Sequence, residues 1–179
     1  MNKLFTKREW ISLGIISLIL AIFMFFNFGI SQRKARDAQR KQDVRDITRV
    51  LEVYKEKAGS YPLSLNGKIV GCDSGRRDER GEIILRTCDW GVDAFDGRRL
   101  LVDPSNSFGI GYYYLSDGKF FQLYASLESR REAEYDVKIV ARKLPCGKAV
   151  CNFGLGSSRT PLDKSISEYE NELDAKSVK

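Results

Sequence analysis

Histidine is absent from all 179 residues. That removes the Ser/His and Cys/His catalytic pairings and every His-ligated metal site. Carboxylate and lysine chemistry remain, but only as scattered carboxylates, so the chain reads as a non-enzyme. Proline is scarce as well, and the first is Pro62, so no proline interrupts a helix over the first third of the chain. Cysteine is limited to four residues, with no C-x-x-C spacing. Charge is missing altogether from Trp10 to Ile30, "WISLGIISLILAIFMFFNFGI". Basic excess is missing from the larger part of the chain. Residues 1–58 hold 12 Lys/Arg against 6 Asp/Glu, whereas residues 59–179 hold 18 of each. A neutral head does not suggest a nucleic-acid-binding surface. A basic run beside an apolar span suits anionic lipid headgroups.

What is present begins with that span. Its 21 residues cover a hydrocarbon core of roughly 30 Å at about 1.5 Å per residue. A soluble core helix rarely runs so long without charge. A cleaved secretory signal is the nearer rival, but the run is long for one and no small-x-small site follows it. The lipid bilayer is therefore the first expected partner. Lys3, Lys7 and Arg8 precede the span, and seven Lys/Arg from Arg33 to Arg49 follow it. The positive-inside rule then puts the head in the cytoplasm. An even cysteine count in a small head behind an anchor points the other way, to an oxidising compartment. We take the head as extracytoplasmic.

Ser31 to Lys57 contains neither proline nor glycine and is made mostly of good helix formers. Val44, Ile47, Leu51, Tyr54 and Ala58 recur in steps of three and four, which makes one helical stripe for packing on a sheet. Asp37 with Lys41 and Asp46 with Arg49 are spaced as helix-surface ion pairs. Gly59 and Pro62 end the helix. Between Ser31 and Asp43 only Ala35 and Ala38 are apolar, so that part is expected to be water-exposed. A continuous helix from Trp10 to Ala58 would run roughly 70 Å.

Beyond it, "GEIILRTC", "RRLLVDP", "GIGYYYLS", "KFFQLYASLE" and "YDVKIVARK" read as short strands, and Asp-Gly within "SDGK" reads as a hairpin turn. "PSNS" after Asp103 marks a turn. "DSGRRDERG" is expected to be an exposed loop. Ile166, Tyr169 and Leu173 allow a short helix near the end, although a frayed tail is the expectation. Cys72, Cys88, Cys146 and Cys151 allow three pairings. The local pairs Cys72–Cys88 and Cys146–Cys151 are favoured, with zinc or free thiols as the alternatives. The fold class is α+β, a long N-terminal helix packed on a small antiparallel sheet. The expected organisation is a cytoplasmic N-terminus at 1–9, a transmembrane helix at 10–30, its extramembrane continuation at 31–58, a β head at 59–155 and a polar, flexible tail at 156–179.

The span followed by "RKARDAQRKQDVRDITRVLEVYKEKAGSYP" resembles the type IV pilin and type II secretion pseudopilin superfamily, the major pseudopilin class above all. The matching residues are Asp37, Ala38, Arg40, Lys41, Asp43, Leu51, Tyr54, Gly59, Tyr61 and Pro62. "VDPSNSFGIGYYYLSDGKFFQLYASLE" is similar to the family's Asp-Pro turn and tyrosine-rich hairpin, and "CGKAVCNFG" to the cysteine-bearing end of some members. The resemblance implies a structural subunit of a secretion or pilus-like filament in the inner membrane, with like subunits as partners through the N-terminal helix. A non-polymerising bitopic protein with a small binding head is the alternative. Family members carry a glycine before the span, where prepilin peptidase cuts, and a glutamate five residues into the mature chain. Here the region is "LFTKREWISLGI": no glycine precedes the span. Glu9, the assembly candidate, stands just outside it. Some members bind calcium; Asp103 and Asp117 are the nearest counterparts, although turn roles account for both.

Overall fold

The computed structural model describes residues 7–158 and 160–177. It is α+β. Helix α1 covers Lys7–Ala58, and small antiparallel sheets follow it. Two compact units divide the chain, the first ending at Arg36 and the second beginning at Asp37.

The first unit is helical from Lys7 onward. Its large apolar side chains from Trp10 to Ile30, leaving aside Phe26, are exposed. The helix is long and apolar enough to cross a membrane. Two polar side chains in this stretch bond back to the helix itself: Ser12 Oγ donates to the Arg8 carbonyl at 3.0 Å and Asn27 Nδ2 to the Phe23 carbonyl at 2.8 Å. Such back-bonding is how a helix in an apolar solvent keeps polar groups satisfied.

In the second unit α1 continues to Ala58. Gly59, with φ of 81°, donates its N–H to the Lys55 carbonyl and closes the helix. Strands β1 (Ser64–Leu65), β2 (Lys68–Arg77) and β3 (Ile83–Thr87) form one sheet in that order. A small hairpin follows, β4 (Ala94–Phe95) with β5 (Arg98–Arg99), then a 3-10 turn at Asn106–Phe108. Strands β6 (Tyr113–Ser116) and β7 (Phe121–Ala125) join at the expected Asp-Gly turn, where Asp117 accepts from the N–H groups of Lys119 and Phe120. Helix α2 (Val137–Ala141), the hairpin β8 (Pro145–Cys146) with β9 (Ala149–Val150), strand β10 (Phe153–Gly156) and helix α3 (Ile166–Ser177) complete the order. The second sheet runs β10-β7-β6, and every residue of its middle strand is buried.

Val44, Ile47 and Leu51 are buried in one core with Ile69 of β2, Tyr114 of β6, Phe121 and Leu123 of β7, and Phe153 of β10. Tyr54 is partly buried and its ring lies 4.8 Å from that of Phe95. Ala58 is exposed, so the stripe ends one turn early. Burying residues of this size stabilises by about 1.5–3 kcal/mol each, which makes the stripe the main apolar attachment of α1 in this unit.

Four expectations are corrected. "DSGRRDERG" is not simply a loop. Its first half extends β2 as an exposed, bulged strand, with register shifts between Val70 and Cys72 and between Asp73 and Arg77. Asp73 accepts from the Gly75 N–H, and Asp78 from the N–H groups of Arg80 and Glu82, so short acidic side chains shape the turn. "YDVKIVARK" is a helix rather than a strand. Asp136 caps it by accepting from the Lys138 N–H at 2.8 Å, and a short apolar run with one buried face suits either state. The polar tail is ordered by packing: Ser157, Thr160 and Ile166 are buried and α3 follows. The single expected sheet is divided into two three-stranded sheets and two short hairpins.

Candidate functional site: a buried guanidinium beside the helix stripe

A further correction, of charge placement, lies one turn before the stripe. Asp37, Arg40 and Asp43 fall where water exposure is expected from composition, yet their exposures are 0%, 1% and 7%. They sit on the face that continues the stripe toward the N-terminus, because 37, 40, 44, 47 and 51 are spaced by three and four. A helix face is set by position, and here charge fills it.

Arg40 uses all five N–H donors. Nε and Nη2 grip the two oxygens of Asp103 at 2.8 and 3.1 Å. Nη2 also donates to Ser105 Oγ at 2.8 Å, and Nη1 donates to Asp37 and Glu128, each at 2.9 Å. The carboxylates are satisfied in turn. Asp37 also accepts from the N–H groups of Glu128 and Ser129, and Asp103 from that of Ser105. A planar guanidinium fits this work because its fork presents paired donors in fixed directions. Burial alone would lower its pKa, but Asp103 first, then Glu128 and Asp37, outweigh that and raise it. Arg40 therefore ties α1 to the Asp-Pro turn and to the segment after β7 through three carboxylates.

Asp43 extends the knot. It accepts from the Tyr112 hydroxyl at 2.6 Å. Burial raises its carboxyl pKa against that hydrogen bond, with Asp103 and Asp46 adding like-charge repulsion. The Tyr112 phenol is raised too, by burial and then by Asp43. Lys41 does not pair with Asp37. It reaches Glu132 and Glu134 at 2.8 and 3.1 Å, pinning a second point of the same segment. Asp46 and Arg49 do pair, at 2.9 Å on the surface.

The remaining expected residues are placed as follows. Cys72 is bonded to Cys88 and Cys146 to Cys151. The second bridge closes a loop that lies against Gly109: a side chain on Gly147 would bring its Cβ within 2.0 Å of the Gly109 carbonyl oxygen. Glu9 is exposed in the first turn of α1, where the helix dipole favours an acid. Asp103 and Asp117, the calcium counterparts, spend their oxygens on Arg40 with Ser105 and on the hairpin turn. Among the described residues no group of three or more Asp, Glu, Cys or His side chains is arranged to hold a metal ion. A cavity of about 300 Å³ opens over Ile47, Leu51, Ile69, Phe95 and Leu100, with Arg49, Arg98 and Arg99 at its rim. Arg49 is held by Asp46 and Arg99 by the Gly91 carbonyl.

No protein-family model, no curated protein and no solved structure matches this chain. The site is therefore read from its own geometry. It is a fastening: every strong donor and acceptor in it is used within the chain. In the sequence Arg40 and Asp43 stand out only by resemblance, and Asp37 also by its spacing from Lys41. A local signal was available in their phase with Val44 and Ile47.

Proposed function

We propose that this chain is a membrane-anchored, pilin-like structural subunit of a type II secretion or type IV pilus-like assembly. Its head lies outside the cytoplasmic membrane, and it joins like subunits through the apolar half of α1. One observation carries the reading. The helix that leaves Trp10 to Ile30 without cover is the helix whose later turns supply Val44, Ile47, Leu51 and the buried Arg40 to the head. Two disulfides suit an oxidising side of the membrane. A second reading, a bitopic protein that presents its head without polymerising, is favoured by a separate feature: no glycine precedes the span, and Glu9 follows Lys7 and Arg8 instead of lying within the apolar run.

The test is cysteine cross-linking in native membranes. Full-length Leu18→Cys protein is oxidised in the bilayer, and its mass is measured before oxidation. A disulfide-linked dimer through α1 supports the subunit reading, the four native cysteines being already paired. Monomer alone, with Met1 retained, supports the static anchor. Recovery of the protein in the soluble fraction, or protection of the head from externally added protease in spheroplasts, defeats both.

A further inference from the structure

Strand β3 is the outer strand of the β1-β2-β3 sheet. Its residues Ile83, Ile84 and Leu85 are 44%, 42% and 51% exposed. Neighbouring strand residues point to opposite faces, so both faces of this arm are apolar and open, and no core accounts for them. The far half of β2, Asp73 to Arg77, is also largely exposed. Long apolar edges invite pairing and are ordinarily blunted or covered.

The backbone shows which groups face outward. The Cys88 N–H donates to the Ile69 carbonyl of β2, and the Glu82 carbonyl accepts from the Asp78 N–H. Alternation along β3 then turns the backbone groups of Glu82, Ile84 and Arg86 toward β2, and those of Ile83 and Leu85 toward the open edge. The Thr87 carbonyl is taken by the Arg86 guanidinium at 2.8 Å, which limits the open stretch at that end.

We propose that this edge pairs antiparallel with the same edge of a second copy, centred on Ile84. The sequence Glu82-Ile83-Ile84-Leu85-Arg86 is complementary to its own reverse. In that register Ile83 lies opposite Leu85 of the second copy, and the two exchange backbone hydrogen bonds. Ile84 meets its counterpart at the closer, non-hydrogen-bonded position. Glu82 lies opposite Arg86, twice. Shifting the register by one residue removes both charge pairs and breaks the apolar match. Arg86 already grips Asp93 through Nη1 and Nη2 at 2.7 Å, which leaves its Nε for Glu82. The Cys72–Cys88 bridge clips the base of the arm, so the edge is held ready and little ordering remains to be done on pairing. A single strand pair falls short of the roughly 1,200 Å² of a stable interface, so the contact is weak and is best trapped. The pairing does not require α1 to assemble.

The full chain is purified in detergent and oxidised mildly. Ile84→Cys protein is expected to form a disulfide-linked homodimer. Ile83→Cys mixed with Leu85→Cys is expected to give at least fivefold more cross-linked dimer than either variant alone. Adding Glu82→Lys to Ile84→Cys places like charges opposite each other and is expected to slow dimer formation roughly tenfold, since two pairs are lost. All four positions are exposed, and protease resistance matching wild type shows that each variant is folded. Equal cross-linking in mixed and unmixed samples, no more Ile84→Cys dimer than from Arg76→Cys on β2, or a cross-link to a different protein in membranes without homodimer would each overturn self-pairing. If Ile84→Cys pairs while Leu18→Cys does not, the edge stands and the filament reading falls.

Discussion

Replacing Arg40 by methionine separates the role of the guanidinium from that of the volume it fills. In the folded chain its five donors serve three carboxylates and a hydroxyl, and Asp37 and Asp103 have no exposed side-chain surface. With methionine there, Asp37 keeps only two backbone donors and Asp103 one. Glu128, 28% exposed, is the least buried of the three. Breaking a buried ionic cluster on one side costs about 3–5 kcal/mol. For a unit of this size that corresponds to a fall in Tm of about 10–20 °C. The assay is thermal unfolding of the full chain in detergent, followed by near-ultraviolet circular dichroism of the head's aromatic residues. A fall of less than about 3 °C would refute the account of Arg40 as the counter-charge of this knot.

Asp43→Asn tests its neighbour. Burial raises the Asp43 carboxyl pKa, so its contribution to stability is full below the unfolded-state value and is lost as pH rises through the higher folded-state value. The variant keeps an acceptor for Tyr112 and should be at least as stable as wild type at pH 7, with a flatter dependence as pH rises above the ordinary carboxylate range; parallel melting curves at several pH values check this. For the bridges, Cys72→Ser/Cys88→Ser should cost about 3 kcal/mol and Cys146→Ser/Cys151→Ser about 2, following the closed-loop lengths. Denaturant titration of the full chain should rank them in that order.

The stripe and the hairpin were legible because each depends on local spacing. Val44, Ile47 and Leu51 declare their shared face by phase alone, and Asp117-Gly118 turns the chain wherever two strands flank it. The knot was not legible from composition. A charged residue between an apolar span and an apolar stripe reads as solvated, and the partners of Arg40 lie 63 and 88 positions away. The likeness in "D-A-x-R-K-x-D" marked the residues without saying that they are buried. The short run around Ile139 reads as a strand because it is rich in β-branched residues; the capping role of Asp136 shows only once the helix exists. At the end of the chain the sequence carries a usable sign. Ser165-x-x-Glu168 is a capping box, with the Ser165 N–H donating to the Glu168 carboxylate at 2.7 Å and the Glu168 N–H to Ser165 Oγ at 3.2 Å.

That polar ending decides how the head can be handled. Strand β7 sits at the middle of its sheet, and its Gln122 amide donates to the carbonyls of Pro161 and Lys164, while the Tyr124 hydroxyl donates to that of Leu162. Ser157 closes the strand's first residue from both sides. Trimming the chain after Leu155 to obtain a tidier fragment would therefore unroof the central strand and leave an amide and a phenol facing solvent they were folded to avoid. Domain boundaries drawn on hydrophobicity would cut there; boundaries drawn on hydrogen bonds keep everything through Ile166.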